Sequence, residues 1–112
     1  MEAWIGLMSG TSMDGIDAVL VSFQNNTVHI HASHTTPYPD QIRHRLLAAS
    51  QNHAAPDEIG ELDTLVGTLF AQAANDVIQT SGFDRATIRA IGSHGQTLRH
   101  QPSGTAPFSI QI

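Results

Sequence analysis

The 112-residue chain contains neither cysteine nor lysine. The first absence excludes disulfides and thiolate metal sites. The second leaves Arg43, Arg45, Arg85, Arg89 and Arg99 as the only permanent side-chain cations against ten Asp and Glu, for a formal charge of −5. No basic stripe is present, which argues against a nucleic-acid backbone as partner. No apolar run approaches the roughly 20 residues of a membrane span. No basic segment followed by a long apolar core opens the chain, so no secretory signal is read. Internal repeats and low-complexity segments are missing too. The expectation is a soluble, cytoplasmic protein with no membrane partner. The length suits one domain or part of one, and a hydrophobic content of 40% is ordinary for a globular core. Seven histidines make the net charge sensitive to mildly acidic pH.

The most informative stretch is Met8-Ser9-Gly10-Thr11-Ser12-Met13-Asp14-Gly15-Ile16-Asp17, set between the apolar runs Trp4–Leu7 and Ala18–Val21. A strand is expected to enter a tight loop there and a second strand to leave it. Gly10 and Gly15 permit sharp turns and a close ligand approach. Thr11 and Ser12 bring hydroxyls, and Asp14 and Asp17 bring carboxylates suited to a divalent cation, directly or through water. A plain β-hairpin is the competing reading, because Asp-Gly is a strong hairpin signal. The loop is longer than a two-residue turn needs, and a turn requires neither the hydroxyls nor the paired carboxylates.

Strands are expected at residues 3–8, 17–23 and 27–35, the last from the alternation of Val28, Ile30 and Ala32 with His29, His31 and Ser33. Gln24-Asn25-Asn26 suits a hairpin turn, since Asn tolerates left-handed geometry. These three strands form an antiparallel meander. Asp40 is expected to cap a helix running to about Gln51. A second helix is expected from Pro56, with Ile59, Leu62, Val66, Leu69, Phe70, Ala73 and Val77 on one stripe and Gly82 as its stop. Gly60 and Gly67 stand inside it, as close packing against a neighbour would explain. Residues 88–93 read as a buried strand, parallel to an earlier one because a helix precedes it. His94-Gly95-Gln96-Thr97 reads as a polar loop at its C-terminal end, where open α/β sheets bind ligands. A last strand is expected over 107–112. It stops on an apolar residue with no turn after it, so the chain reads as cut from something longer.

His29 and His31 share a strand face, but no third metal ligand stands at a convincing spacing. Trp4 reads as packing at the start of the sheet, and the stripe of the second helix as core.

The order of meander, helices and parallel strand resembles the ribonuclease-H-like lobe of sugar kinases, actin and Hsp70-type ATPases. Gly10-Thr11-Ser12-Met13-Asp14-Gly15-Ile16-Asp17 resembles, more closely, the first signature of anhydro-N-acetylmuramic acid kinases. Gly92-Ser93-His94-Gly95-Gln96-Thr97-Leu98-Arg99-His100 resembles their second, and Ser109-Ile110-Gln111-Ile112 the strand that follows. The resemblance implies an α/β fold forming part of an actin-like ATPase lobe, with residues 1–112 as the N-terminal part of the first domain. It implies an enzyme that uses ATP, Mg²⁺ and water to open the 1,6-anhydro bridge of anhydro-N-acetylmuramic acid and phosphorylate O6, in bacterial cell-wall recycling. Members are longer, two-domain and usually dimeric.

On that reading Gly10 to Asp17 hold the ATP phosphates, through backbone N–H groups of Gly10 to Met13 and the hydroxyls of Thr11 and Ser12. Asp14 or Asp17 holds the metal or its waters. Actin- and Hsp70-like relatives carry an acidic residue where Met8 stands, and a thioether does not bind a hard cation. His94, Gly95, Gln96 and Thr97 are the candidate sugar contacts. The resemblance places the catalytic Asp outside these residues, so no general base is assigned. The alternatives are a non-catalytic nucleotide- or sugar-binding module on the same fold and a purely structural domain.

Overall fold

A computed structural model describes residues 1–112. The chain runs β1 (Ala3–Ser9), β2 (Gly15–Gln24), β3 (Thr27–Pro37), α1 (Asp40–Ser50), α2 (Pro56–Ser81), a single 3₁₀ turn at Arg85–Thr87, β4 (Ile88–Gln101) and β5 (Phe108–Gln111). The five strands form one sheet in the order β3-β2-β1-β4-β5. β1 pairs antiparallel with β2 and parallel with β4, and β5 returns antiparallel along β4. The meander, both helices and the parallel strand are thus where the sequence placed them.

Alternation sets the faces of the central strand. Ala3, Ile5, Leu7 and Ser9 are buried on one side, while Met8 is exposed on the other. Leu46 of α1 and Leu62, Val66, Phe70, Ala73 and Val77 of α2 close over Ile5, Leu7, Ile16 and Leu20 to make the core. The opposite sheet face carries Trp4 packed edge-to-face on Phe23 with ring centroids 5.1 Å apart. Phe23, Val28 and Ile30 remain exposed there.

The β2–β3 turn has Asn25 and Asn26 at φ +52° and +62°, the conformation of a type I′ hairpin. Gly15 is required where β2 begins, because a Cβ there would stand 2.7 Å from the Thr36 carbonyl oxygen. α2 begins with Pro56 in its first turn and ends on Gly82 at φ +71°, both as expected. Arg45 donates two hydrogen bonds to Glu58, at 2.8 and 2.5 Å, and ties α1 to α2. This guanidinium holds the Glu58 carboxyl below its ordinary range.

Four expectations are corrected. Asp40 does not cap α1: Pro39 is the cap residue, Asp40 is the first residue of the helix, and no side chain bonds the open N–H groups. β4 does not end at Ser93 but continues to Gln101, so residues 94–97 are strand rather than loop. Gly60 and Gly67 meet no close neighbour; a Cβ on either would project into open space. The first half of β4 is not buried as expected: Ile88 is half-buried, and Arg89 to His94 are exposed. A register shift between Leu20 and Val21 leaves His31 unpaired on β3. Its ring lies against Phe83 and 2.7 Å from the Ser22 hydroxyl.

Candidate phosphate-binding site

The site forms where the C-terminal end of β1 lies beside the middle of β4, the two strands running parallel. Leu7 is level with Ser93 and Ser9 with Gln96. Two residue steps on β1 therefore match three on β4, and Gly95, at φ +75°, supplies the extra one. An added residue reverses the face of everything after it. Gln96 consequently points to the same buried side as Ser9 and meets the start of the Gly10–Asp14 loop. A Cβ on Gly95 would also stand 2.5 Å from the Ile112 carbonyl oxygen, which accepts from the Gln96 N–H at 2.7 Å.

The loop is held from inside. The Met13 N–H donates to the Gly10 carbonyl at 3.1 Å, closing a turn. Met13 has φ +57°, and its side chain is buried in the core. A non-glycine residue in left-handed geometry costs about 1–2 kcal/mol, which burial of the thioether chain offsets. The Tyr38 N–H donates to the Asp14 carbonyl at 3.3 Å. The N–H groups of Thr11, Ser12 and Asp14 have no partner in the protein, and all three residues are exposed. Of the N–H groups expected to face phosphate, Met13's is therefore used internally, while those of Gly10, Thr11 and Ser12 are free.

The loop separates two cavities. One, of about 310 Å³, is lined by Met8, Gly10, Ser12, Asp14, Gly15, Asp17, Thr35 and Pro37. The other, of about 260 Å³, is lined by Thr11, Met13, Ser50, Thr97, Leu98, Arg99 and His100. The two sequence signatures meet in the second cavity through Thr11 and Thr97. The two carboxylates meet in the first. Asp17 accepts from the Thr35 hydroxyl at 2.8 Å, and Asp14 lies 3.4 Å from Arg43 Nη2. Ile16 faces the core, fully buried.

Both Asp14 and Asp17 have oxygens suited to Mg²⁺, which commonly binds through one or two carboxylates plus waters and substrate phosphates. No cluster of three or more His, Cys, Asp or Glu forms anywhere in the chain, and a site of that water-rich kind needs none. Met8 lines the same cavity, so the oxygens it lacks are available from Asp14 and Asp17 within reach of the same space.

The second signature behaves differently from expectation. His94 is exposed, and its carbonyl accepts from Gln111 Nε2 at 2.7 Å. Gln96 is fully buried. Its Oε1 accepts from Ser9 at 2.5 Å and from Tyr38 at 2.9 Å, and its Nε2 donates to the carbonyls of Gly10 at 3.1 Å and Thr97 at 3.0 Å. No polar atom of this amide is left for a sugar. Burial pushes the Tyr38 phenol up from its ordinary pKa, against a hydrogen bond with Ser9, so it stays a neutral donor.

Two neighbours escaped sequence reasoning. Arg43, in the first turn of α1, sets Nη2 3.4 Å from both the Ser12 carbonyl and Asp14, while its buried Nε has no partner. Tyr38 braces the loop from β3's end. Neither lies in a motif, and only the return of the chain after β3 brings them to the loop.

A glycine- and hydroxyl-bearing loop with free N–H groups, at the C-terminal end of the central strand of a mixed sheet under two helices, is part of an actin-like ATPase lobe. The family described as anhydro-N-acetylmuramic acid kinase matches residues 2–112, and the chain belongs to that family. It is 46% identical over 112 residues to an anhydro-N-acetylmuramic acid kinase of Vibrio vulnificus (strain CMCP6), covering 99% of this chain and 30% of that protein. It is 49% identical over 112 residues to one of Shewanella loihica and 48% over 114 residues to one of Xanthomonas axonopodis pv. citri, in each case covering 97% of this chain and 30% of the relative. The chain thus spans about 30% of the length of these relatives. No helix is long and apolar enough to cross a membrane.

Proposed function

We propose that the full-length protein is an ATP-dependent sugar kinase acting on anhydro-N-acetylmuramic acid in cell-wall recycling. In the reaction, water adds at the anomeric carbon, the C1–O6 bond breaks, and O6 takes the γ-phosphoryl group of ATP. The products are ADP and N-acetylmuramic acid 6-phosphate. The observation that carries the reading is the loop itself, whose Thr11 and Ser12 N–H groups stand free beside two hydroxyls at the end of β1. Phosphoryl transfer asks a protein chiefly for positioning and charge stabilisation, and this loop offers both. Thr11 and Ser12 bind phosphate oxygens. Arg43 lies beside them and can exchange Asp14 for a phosphate oxygen. Asp14 and Asp17 would hold Mg²⁺ or its waters, which neutralises charge on the phosphates. Within the second signature, Thr97 and His94 are the sugar candidates, and Gly95 is assigned to backbone geometry. The general base lies outside these 112 residues. Cytoplasmic location and a homodimer complete the proposal, on the strength of the family resemblance.

The test is incubation of the full-length protein with the anhydro sugar, ATP and Mg²⁺ in ¹⁸O-water. A sugar phosphate carrying one ¹⁸O is expected by mass spectrometry; an unlabelled sugar phosphate, or none, rejects the reaction as written. Asp14→Asn and Asp17→Asn are each expected to lower kcat by about 100-fold or more, the scale of losing a charge-stabilising group. EDTA should abolish turnover and added Mg²⁺ restore it. ATP binding without turnover by the full-length protein would favour a non-catalytic nucleotide-binding module.

A further inference from the structure

Gln96 is buried more completely than any other polar side chain of its size, and its backbone is fixed as firmly as its amide. The Gln96 N–H donates to the Ile112 carbonyl at 2.7 Å, and the Ile112 N–H donates to the Gln96 carbonyl at 3.0 Å. With main chain and both ends of the amide tied, Nε2 has one place to be, which is against the Gly10 carbonyl oxygen. That oxygen receives a second donor, the Met13 N–H, also at 3.1 Å. Two donors from inside the protein therefore hold the Gly10 carbonyl inward.

The peptide unit between Gly10 and Thr11 is planar and trans, so its C=O and N–H point in opposite directions. A carbonyl held inward forces the Thr11 N–H outward. That N–H is one of the unpartnered donors of the loop. Without the Gln96 amide, one hydrogen bond from Met13 would resist rotation of this peptide plane. The rotated plane would turn a carbonyl oxygen, rather than an N–H, toward an anion.

We infer that Gln96 is a positioning residue of the phosphate loop: it clamps the Gly10 carbonyl and so aims the Thr11 N–H at a phosphate oxygen of the nucleotide. This rests on the proposed function for what the loop holds, and it replaces direct sugar contact as the role of Gln96. It also gives the bulge at Gly95 a purpose, since only the extra residue turns Gln96 to the face of Ser9 and Gly10.

Three variants of the full-length protein separate this role from general support of the fold. Tyr38→Phe removes a donor to Oε1 but leaves the clamp on Gly10. Gln96→Met removes the clamp with similar volume. Gln96→Leu removes the clamp with a smaller apolar side chain, so it serves if the Met variant does not fold. Both Gln96 variants are expected to weaken ATP binding in calorimetric titration by about tenfold or more, the scale of one misdirected charge-assisted hydrogen bond. The KM for the sugar should stay within about twofold of wild type, on the same energetic scale. Tyr38→Phe should lower the melting temperature while ATP affinity stays within about threefold.

Unchanged ATP affinity in Gln96→Met, a rise confined to the sugar KM, or an equal ATP loss in Tyr38→Phe would overturn the assignment. A second readout needs no nucleotide. Residual dipolar couplings of the Thr11 N–H should change orientation in both Gln96 variants and not in Tyr38→Phe; an unmoved Thr11 N–H overturns the inference. Wild-type protein that binds no ATP would reject the proposed function, and the Thr11 orientation would still decide this one.

Discussion

At the scale of single residues, the site depends on two left-handed positions that differ in kind. Met13 keeps a side chain because the core needs it; Gly95 cannot have one because the Ile112 carbonyl occupies the space. Gly95→Ala is expected to destabilise the chain by roughly 1–3 kcal/mol, the usual cost of a strained backbone position, read as a lower denaturant midpoint at constant slope. A midpoint equal to wild type would mean that the bulge relaxes without cost and does not fix Gln96. The strand-loop-strand of the first signature could be read from sequence because two apolar runs flank glycines, hydroxyls and carboxylates that belong in a turn, while its proposed phosphate role rests on the family resemblance. The role of Gln96 could not. An exposed loop glutamine and a buried clamping one have the same sequence neighbours, and a bulge of one residue decides between them.

At the scale of elements, α2 shows why the helices were legible and one strand was not. Apolar positions at spacings of three and four, a proline at the start and a glycine just past the end all agree over 26 residues. Two substitutions on this helix should act in opposite directions. Leu62→Ala, at a fully buried position, is expected to cost about 2–5 kcal/mol. Gly67→Ala, where a Cβ meets open space, should raise stability by up to about 1 kcal/mol. Urea unfolding of both variants checks the pair; destabilisation by Gly67→Ala would show a backbone approach that the fold lacks. β4 was legible only to Ser93. Beyond it Gly95 and a run of polar residues carry the composition of a loop, and strand character comes from pairing with β5, which no local pattern encodes. The cap of α1 went astray for a similar reason: Pro39 fixes the entry to the helix and moves Asp40 inside its first turn.

At the scale of the whole molecule, the proposed function makes this chain one part of a reaction site. Its loop presents donors and carboxylates on two cavities, yet the resemblance places the general base outside these residues, and the chain spans about 30% of the length of its relatives. The polypeptide 1–112 by itself is therefore expected to release no ADP in a coupled assay with ATP, Mg²⁺ and the anhydro sugar, under conditions where the full-length protein does. Sugar-dependent ADP release by the short chain would place the base among its own carboxylates and reopen Asp14 and Asp17 for that role. The sequence by itself determined the strand-loop-strand of the first signature, the meander, the amphipathic helices and the absence of thiolate chemistry, because each follows from residue type and short-range spacing. The tertiary structure alone decided that Gln96 faces inward, that Arg43 and Tyr38 stand at the loop, and that the Met13 N–H is used while those of Thr11 and Ser12 remain free. Those outcomes depend on strands far apart in sequence meeting in one register, and register is set by the packing of the whole sheet against its helices.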